Sequence, residues 1–282
     1  MPTNLRSPRS VSPTEYQVLA KLARARASHL VRRRDWSWLT SISPRPDRVI
    51  ARMLEKGSLI SVAPGRYLIA PVGADRIEMA ASPQAVLDAR LSGTRYYIAF
   101  HSALSEHGLT DLEDARSFVV VFGRTDLPGV LELVGQEVVV TRITVERKWF
   151  GAERATLTAG GTYWRSDIER TLLDALERPD LSGSIETVIR AWARALGEDR
   201  ASIRRLADYA IRLGPTAVRR TGFWLSAMGH SKDAEPLLKH RGSSGSVPLD
   251  PSGLKSGPTD PIWRVVVNVP SESYQGWIGY GK

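Results

Sequence analysis

Apolar residues first recur at helical spacing over 13–27. Tyr16, Leu19, Ala20, Leu22 and Ala23 fall on one side, and Gln17, Lys21 and Arg24 on the other. Ser12-Pro13-Thr14-Glu15 ahead of them is a capping box with proline at the first helical position. Asp35 is placed to cap a short second helix that buries Trp36 and Leu39. A third helix opens at Ser43-Pro44-Arg45-Pro46-Asp47, where first-turn N–H groups lack partners and proline is tolerated. Val49, Ile50, Met53 and Leu54 make its apolar stripe, and Gly57 ends it. Short apolar runs at 59–62 and 67–69 flank Ala63-Pro64-Gly65-Arg66, which predicts a type II turn between two strands. Three helices and a hairpin predict a winged helix-turn-helix over 12–72, with the third helix entering the major groove.

The pattern then changes. Residues 72–81 read as a connection, and Ser82-Pro83 opens a helix that ends near Gly93. Strands are predicted at Phe118–Phe122, Val130–Val134 and Glu137–Val145, and helices near 166–177, 184–196, 200–213 and 215–228. A run of strands followed by a run of helices argues for an α+β domain over 76–240. The Gly/Ser/Pro-rich stretch 241–259 reads as a flexible linker. Beyond it, in 260–282, Ile262–Val269 reads as one strand that returns to the sheet of this second domain. The expected fold class is therefore α+β: an N-terminal winged helix-turn-helix plus a mixed C-terminal domain.

Charge separates the two ends. Of 39 Lys+Arg and 30 Asp+Glu, residues 1–72 hold 13 and 4, so this stretch carries the whole net +9. The remaining 210 residues hold 26 of each sign and are neutral. The basic end is built to meet a polyanion. Arg45, Arg48 and Arg52 lie opposite the apolar stripe of the third helix, where phosphates and base edges would be met. Arg66 falls at the wing tip, and Arg32, Arg33 and Arg34 form a basic turn before the second helix, suited to phosphate contact. Residues 1–11 read as a loose basic arm.

Other chemistry is excluded or unsupported. The chain has no cysteine, which removes disulfides, zinc fingers and thiolate nucleophiles. No Walker-type or dinucleotide glycine motif occurs, and Gly160-Gly161 is an isolated pair. The five histidines are scattered, and His107 before Gly108 reads as a helix-end residue. Asp167, Glu169, Asp174 and Glu177 tempt an acid–base reading, but Arg170–Asp174 and Asp174–Arg178 at i,i+4 read as surface ion pairs. Trp149, Trp164, Trp192 and Trp224 read as core. No catalytic residue, metal or cofactor is expected. The first 30 residues show no apolar leader-like run, and no run approaches the roughly 20 residues that span a bilayer, so the expectation is a cytoplasmic protein.

Four segments carry a resemblance. They are Gly57, Leu59, Val62, Gly65 and Tyr67 of the hairpin; Ser102-Ala103-Leu104 through His107-Gly108-Leu109; Glu169-Arg170-Thr171-Leu172-Leu173-Asp174 with Pro179 and Gly183; and Arg219, Arg220, Gly222, Phe223 and Leu225. In this order they resemble the AbiEi-type antitoxins of bacterial abortive-infection toxin–antitoxin pairs. The chain departs from that pattern in a longer, Trp-rich stretch at 28–44 and in Trp224-Leu225-Ser226. The resemblance implies an autorepressor that binds its own double-stranded promoter DNA and neutralises a toxin with a nucleotidyltransferase fold. Arg219 and Arg220 are then candidates for toxin contact, with the solvent face of a helix as the alternative. Two other functions compete: a winged-helix regulator whose C-terminal domain senses a small molecule, and a nucleic-acid enzyme using the carboxylates.

Overall fold

The computed structural model describes residues 11–25, 27, 29–70, 82–133, 135–157 and 161–279. The predicted arm up to residue 10, the connection 72–81 and Gly160 lie outside them. The chain is mixed α and β. It forms two compact units, one of residues 1–95 with 132–136 and 154–163, the other of the remainder.

In the first unit α1 (Pro13–Arg24) is followed by β1 (His29–Val31), α2 (Arg32–Ile42), α3 (Pro46–Glu55), β2 (Leu59–Ala63) and β3 (Arg66–Ile69). The capping box forms: Ser12 Oγ accepts from the Glu15 N–H at 3.3 Å, and the Ser12 N–H donates to Glu15 Oε2 at 2.8 Å. The strands make an antiparallel sheet in the order β1-β3-β2. Gly65 has φ +68°, as the tight β2–β3 turn demands. Val18, Leu22, Leu30, Leu39, Val49, Ile50, Met53 and Leu59 make the core. Full burial stabilises each side chain of this kind by about 1.5–3 kcal/mol.

Three expectations are corrected here. β1 runs directly into α2, so Arg32, Arg33 and Arg34 form the first turn of α2 rather than a loop before it. Asp35 is not the cap residue; it reaches back from inside the helix and accepts from the Val31 N–H at 2.8 Å. The first unit extends to Arg95, beyond the expected limit of 72. Helix α4 (Pro83–Leu91) packs on its three strands, and the turn after α4 bonds to them.

In the second unit β4 (Tyr96–Ile98) leads into α5 (Phe100–Glu106), then β5 (Ser117–Phe122). These two strands belong to a six-stranded mixed sheet of order β6-β7-β5-β4-β9-β8, where β6 is Val130–Leu133, β7 Gln136–Ile143, β8 Ala152–Thr156 and β9 Thr162–Ser166; the parts of β6, β7, β8 and β9 within 132–136 and 154–163 count with the first unit. β5 pairs antiparallel with β4 and parallel with β7. Helices α6 (Ile168–Glu177), α7 (Ile185–Gly197), α8 (Ile203–Leu213) and α9 (Pro215–Ala227) follow. Asp167, Ser184 and Ser202 cap the first three of these. Leu172, Ile189, Trp192, Leu206, Trp224 and Leu225 anchor their common core.

The C-terminal stretch differs most from expectation. After the short α10 (Ser231–Ala234), β10 (Val247–Pro248), β11 (Thr259–Asp260) and β12 (Val265–Val266) form a separate small sheet in the order β10-β12-β11. The stretch 241–259 is a docked segment rather than a linker, and the predicted strand is two residues long and joins this small sheet, not the large one. Helix α11 (Ser271–Gly279) then lies against α7. Trp192 and Trp224 are fully buried as expected, whereas Trp164 is exposed.

Candidate nucleic-acid interface and the buried arginines

The seven arginines predicted for DNA divide by what already holds them. On α3 the apolar stripe Val49, Ile50 and Met53 faces the core, so helical spacing turns Arg48 and Arg52 to solvent with Arg45 at the helix start. All three are exposed. No described residue pairs with the guanidinium of Arg33, Arg45 or Arg48, while Arg52 Nε donates to the Arg48 carbonyl at 3.3 Å. Arg32 pairs with Asp47 at 2.7 Å and stacks on Trp36 at 5.0 Å.

Arg34 and Arg66 play structural parts. Arg34 Nε and Nη2 clasp Asp35 at 3.0 Å each, and Trp38 Nε1 donates to the same carboxylate at 3.2 Å. Burial pulls the Asp35 carboxyl up, but the Arg34 guanidinium and the Val31 N–H outweigh it and hold it below the ordinary value. Arg66 is half-buried and donates to the Ser92 carbonyl at 3.1 Å, so it is drawn back toward the turn after α4 instead of projecting from the wing tip. His29 reinforces that contact, with its ring bonded to Ser92 Oγ at 3.2 Å and Asp88 at 3.2 Å.

Arg219 and Arg220 are buried, 4% and 6% exposed, which corrects their reading as toxin-contact residues. Arg219 donates to three backbone carbonyls: Arg241 at 2.6 Å, Ser244 at 2.8 Å and Gly245 at 3.1 Å. Arg220 donates to the Pro248 carbonyl at 2.9 Å. Farther along the same helix, Gly222 carries the Trp263 ring and Ser226 accepts from Trp263 Nε1 at 3.0 Å. The segment from Arg219 to Ser226 is thus the cradle of the chain's own C-terminal stretch. The signal for this in the sequence is the Arg-Arg-x-Gly spacing on one helix; the partner, 20 to 45 residues on, was not legible.

The carboxylates are corrected likewise. Arg170 and Asp174 pair at 2.8 Å, but both are buried, 2% and 4% exposed. Tyr97 donates to the other Asp174 oxygen at 3.0 Å, and Arg170 Nη1 donates to the Lys148 carbonyl at 2.8 Å. Arg170 is stacked on Tyr97 and on Phe150, whose ring Arg212 covers as well. Burial and the Asp174 charge push the Tyr97 hydroxyl well above its ordinary value, so it stays a neutral donor. Gly151 makes room for this stack, since a Cβ there would stand 2.6 Å from Arg170 Cβ. Asp174 does not reach Arg178, which pairs with Asp180 at 2.6 Å. Glu169 accepts from the Ser202 N–H at 2.7 Å and from Arg205, tying α6 to the start of α8.

The Ser102–Leu109 segment is also structural. Ser102 Oγ accepts from the Phe118 N–H at 3.0 Å, and Gly108 takes φ +61° at the helix end. His107 caps α5 as expected and donates from Nε2 to the Ser166 carbonyl at 2.8 Å; burial pushes the ring's pKa down, which keeps it neutral. Among the described residues no cluster of His, Asp and Glu could hold a metal ion, and no helix is long and apolar enough to cross a membrane.

The chain is similar in fold to the RV2827C protein from Mycobacterium tuberculosis: the TM-score is 0.64 at 20% identity, covering 96% of each chain. That likeness extends over both units and concerns the fold alone. No family model matches the sequence, and no curated protein matches it.

Proposed function

We propose that residues 12–72 form a winged helix-turn-helix that binds double-stranded DNA, and that the chain is a cytoplasmic antitoxin of the AbiEi type, repressing its own promoter and neutralising a nucleotidyltransferase-fold toxin. The element order α1-β1-α2-α3-β2-β3, with an antiparallel sheet β1-β3-β2, supports this reading, in which α3 would be the recognition helix and β2–β3 the wing. The observation that carries the DNA half is the outer row of α3. Arg45, Arg48 and Arg52 stand exposed on the helix this topology would insert in the groove, inside the stretch that holds all the net charge.

The toxin half rests on the resemblance at Ser102–Leu109, Glu169–Asp174 and Arg219–Leu225. These residues are internal supports of the second unit, so they speak for a shared architecture and not for a contact surface. The test has two arms. Anisotropy titration of the full chain against a duplex from its own upstream region, in competition with random duplex, measures operator preference. Co-expression with a nucleotidyltransferase-fold protein encoded beside it, each from its own inducible promoter, measures rescue of growth. Equal affinity for both duplexes overturns the repressor reading, and absence of rescue overturns the antitoxin reading.

A further inference from the structure

A cleft of about 290 Å³ opens in the second unit between α6 and the end of β7. A smaller one of about 180 Å³ shares Lys148, Glu177 and Leu213 with it, so the two meet. Phe100, Val120, Ile143 and Leu213 give the larger cleft an apolar wall. Arg142, Lys148, Arg170, Arg178 and Arg220 line the pair of clefts against Asp174 and Glu177. Counting Asp180, which holds Arg178, five positive charges face three negative ones.

Three features mark the junction. Arg170 is 2% exposed, and Asp174 and the Lys148 carbonyl take its Nε and Nη1. The Tyr97 side chain lies against the same guanidinium, so Arg170 presents a held, positively charged edge to the larger cleft. Lys148 follows it: its carbonyl is fixed by Arg170, while no described carboxylate pairs with its ammonium. The first turn of α9 lines the smaller cleft with Gly214, Pro215, Thr216 and Ala217, and no side chain caps it, which adds a positive helix end beside Lys148. At the far side Phe100 holds φ +52°, a left-handed conformation that is costly for an aromatic residue and tends to accumulate at ligand sites.

We propose that this paired cleft binds a small organic phosphate of sugar-phosphate to mononucleotide size. The phosphate sits at the junction, between Lys148 and Arg170 and against the start of α9. The organic part lies on the Phe100 wall, and Glu177, which borders both clefts, accepts from its hydroxyl groups. A carboxylate in that position suits a hydroxylated ligand and opposes a bare polyanion, which is why the wall does not read as a strand of nucleic acid. The site lies in the second unit and does not rest on the DNA-binding reading.

The test uses the full chain, with calorimetric titration and melting curves against AMP, CMP, ribose 5-phosphate, adenosine and inorganic phosphate. At least one organic phosphate is expected to bind and raise Tm, with adenosine and inorganic phosphate weaker by about tenfold or more, the scale of one or more lost charge-assisted contacts. Lys148→Ala, at a half-buried position whose ammonium pairs with no described carboxylate, is expected to keep the unliganded Tm and raise Kd by about tenfold or more. The idea is overturned if no organic phosphate binds at millimolar concentration, if adenosine or inorganic phosphate binds as well as the organic phosphates, or if Lys148→Ala leaves Kd unchanged. DNA affinity of Lys148→Ala is expected to equal that of the unaltered chain, which keeps a failure here distinct from a failure of the repressor reading.

Discussion

Trp263 lies flat against Gly222: a methyl group on that glycine would come within 2.2 Å of the indole ring. The ring is 3% exposed, and its Nε1 is fixed by Ser226 Oγ at 3.0 Å, so it has little room to swing away. Gly222→Ala gains about 1 kcal/mol of helix propensity, yet overpacking costs about 1–3 kcal/mol. A net loss of stability is expected, measured by denaturant unfolding. Adding Trp263→Ala should remove the penalty, so that Gly222→Ala becomes neutral or stabilising in that background.

Arg219→Ala should free the stretch 241–248. One guanidinium satisfies three carbonyls there, and bonds from a charged donor are worth about 1.5–3 kcal/mol each before compensation. A loss of about 2–4 kcal/mol is expected. Limited proteolysis should then cut between Arg241 and Pro248 while the rest of the chain resists. Arg219→Lys should rescue little, since an ammonium cannot span three carbonyls that a planar fork reaches at once.

Local pattern was legible and long-range pairing was not. The capping box at Ser12, the α3 stripe and the Pro64-Gly65 turn were readable because each lies within a few residues of its partner. β1 was missed: three residues are too few to show alternation, and its partner β3 lies 37 residues on. Arg219 and Arg220 looked like a surface pair because charge in a helix usually is. Their acceptors are backbone carbonyls, and a carbonyl has no letter in the sequence. The Gly/Ser/Pro content of 241–259 suggested a linker for the same reason, since its order comes from Arg219, Arg220 and Asn268. The Arg170–Asp174 spacing gave the pair correctly but could not give its burial, which Gly151 and Tyr97 bring about from elsewhere in the chain.

Acid should weaken the first unit through Glu15 and Asp35. Burial raises both carboxyls, but Lys56 and the Ser12 N–H outweigh it for Glu15, and Arg34 and the Val31 N–H for Asp35. Their folded values therefore lie below the ordinary 4.5 and 3.8. The unfolded chain then binds more protons in that range, so the stabilisation is complete above the ordinary values and lost as pH falls through the folded ones. Glu15→Gln and Asp35→Asn are each expected to lower stability at pH 7. The difference from the unaltered chain should shrink below about pH 4.5. Unfolding free energies between pH 7 and 3 check this, and a difference constant across the range would refute it.

The arginines of the basic unit should separate into three kinds. Arg48 and Arg52 stand on the outer row of α3, where base edges would be met, so Arg48→Ala and Arg52→Ala should each cost about 1–3 kcal/mol of discrimination between operator and random duplex. Arg33 is exposed on the first turn of α2 and has no described partner, which suits phosphate contact; Arg33→Ala should weaken both duplexes equally and flatten the salt dependence. Arg34 and Arg66 are committed to Asp35 and to the Ser92 carbonyl, so Arg34→Ala and Arg66→Ala should lower Tm with little change in specificity. For the unaltered chain, with roughly 4–6 phosphates neutralised, log K should fall with log salt at a slope of about −4 to −5. Because the first unit is assembled from three stretches of chain, the variants are compared in the full-length protein. Competition binding against random duplex and melting curves on the same five variants distinguish the kinds. If Arg48→Ala and Arg52→Ala leave the specificity ratio intact while Arg34→Ala or Arg66→Ala changes it, α3 is not the helix that reads DNA.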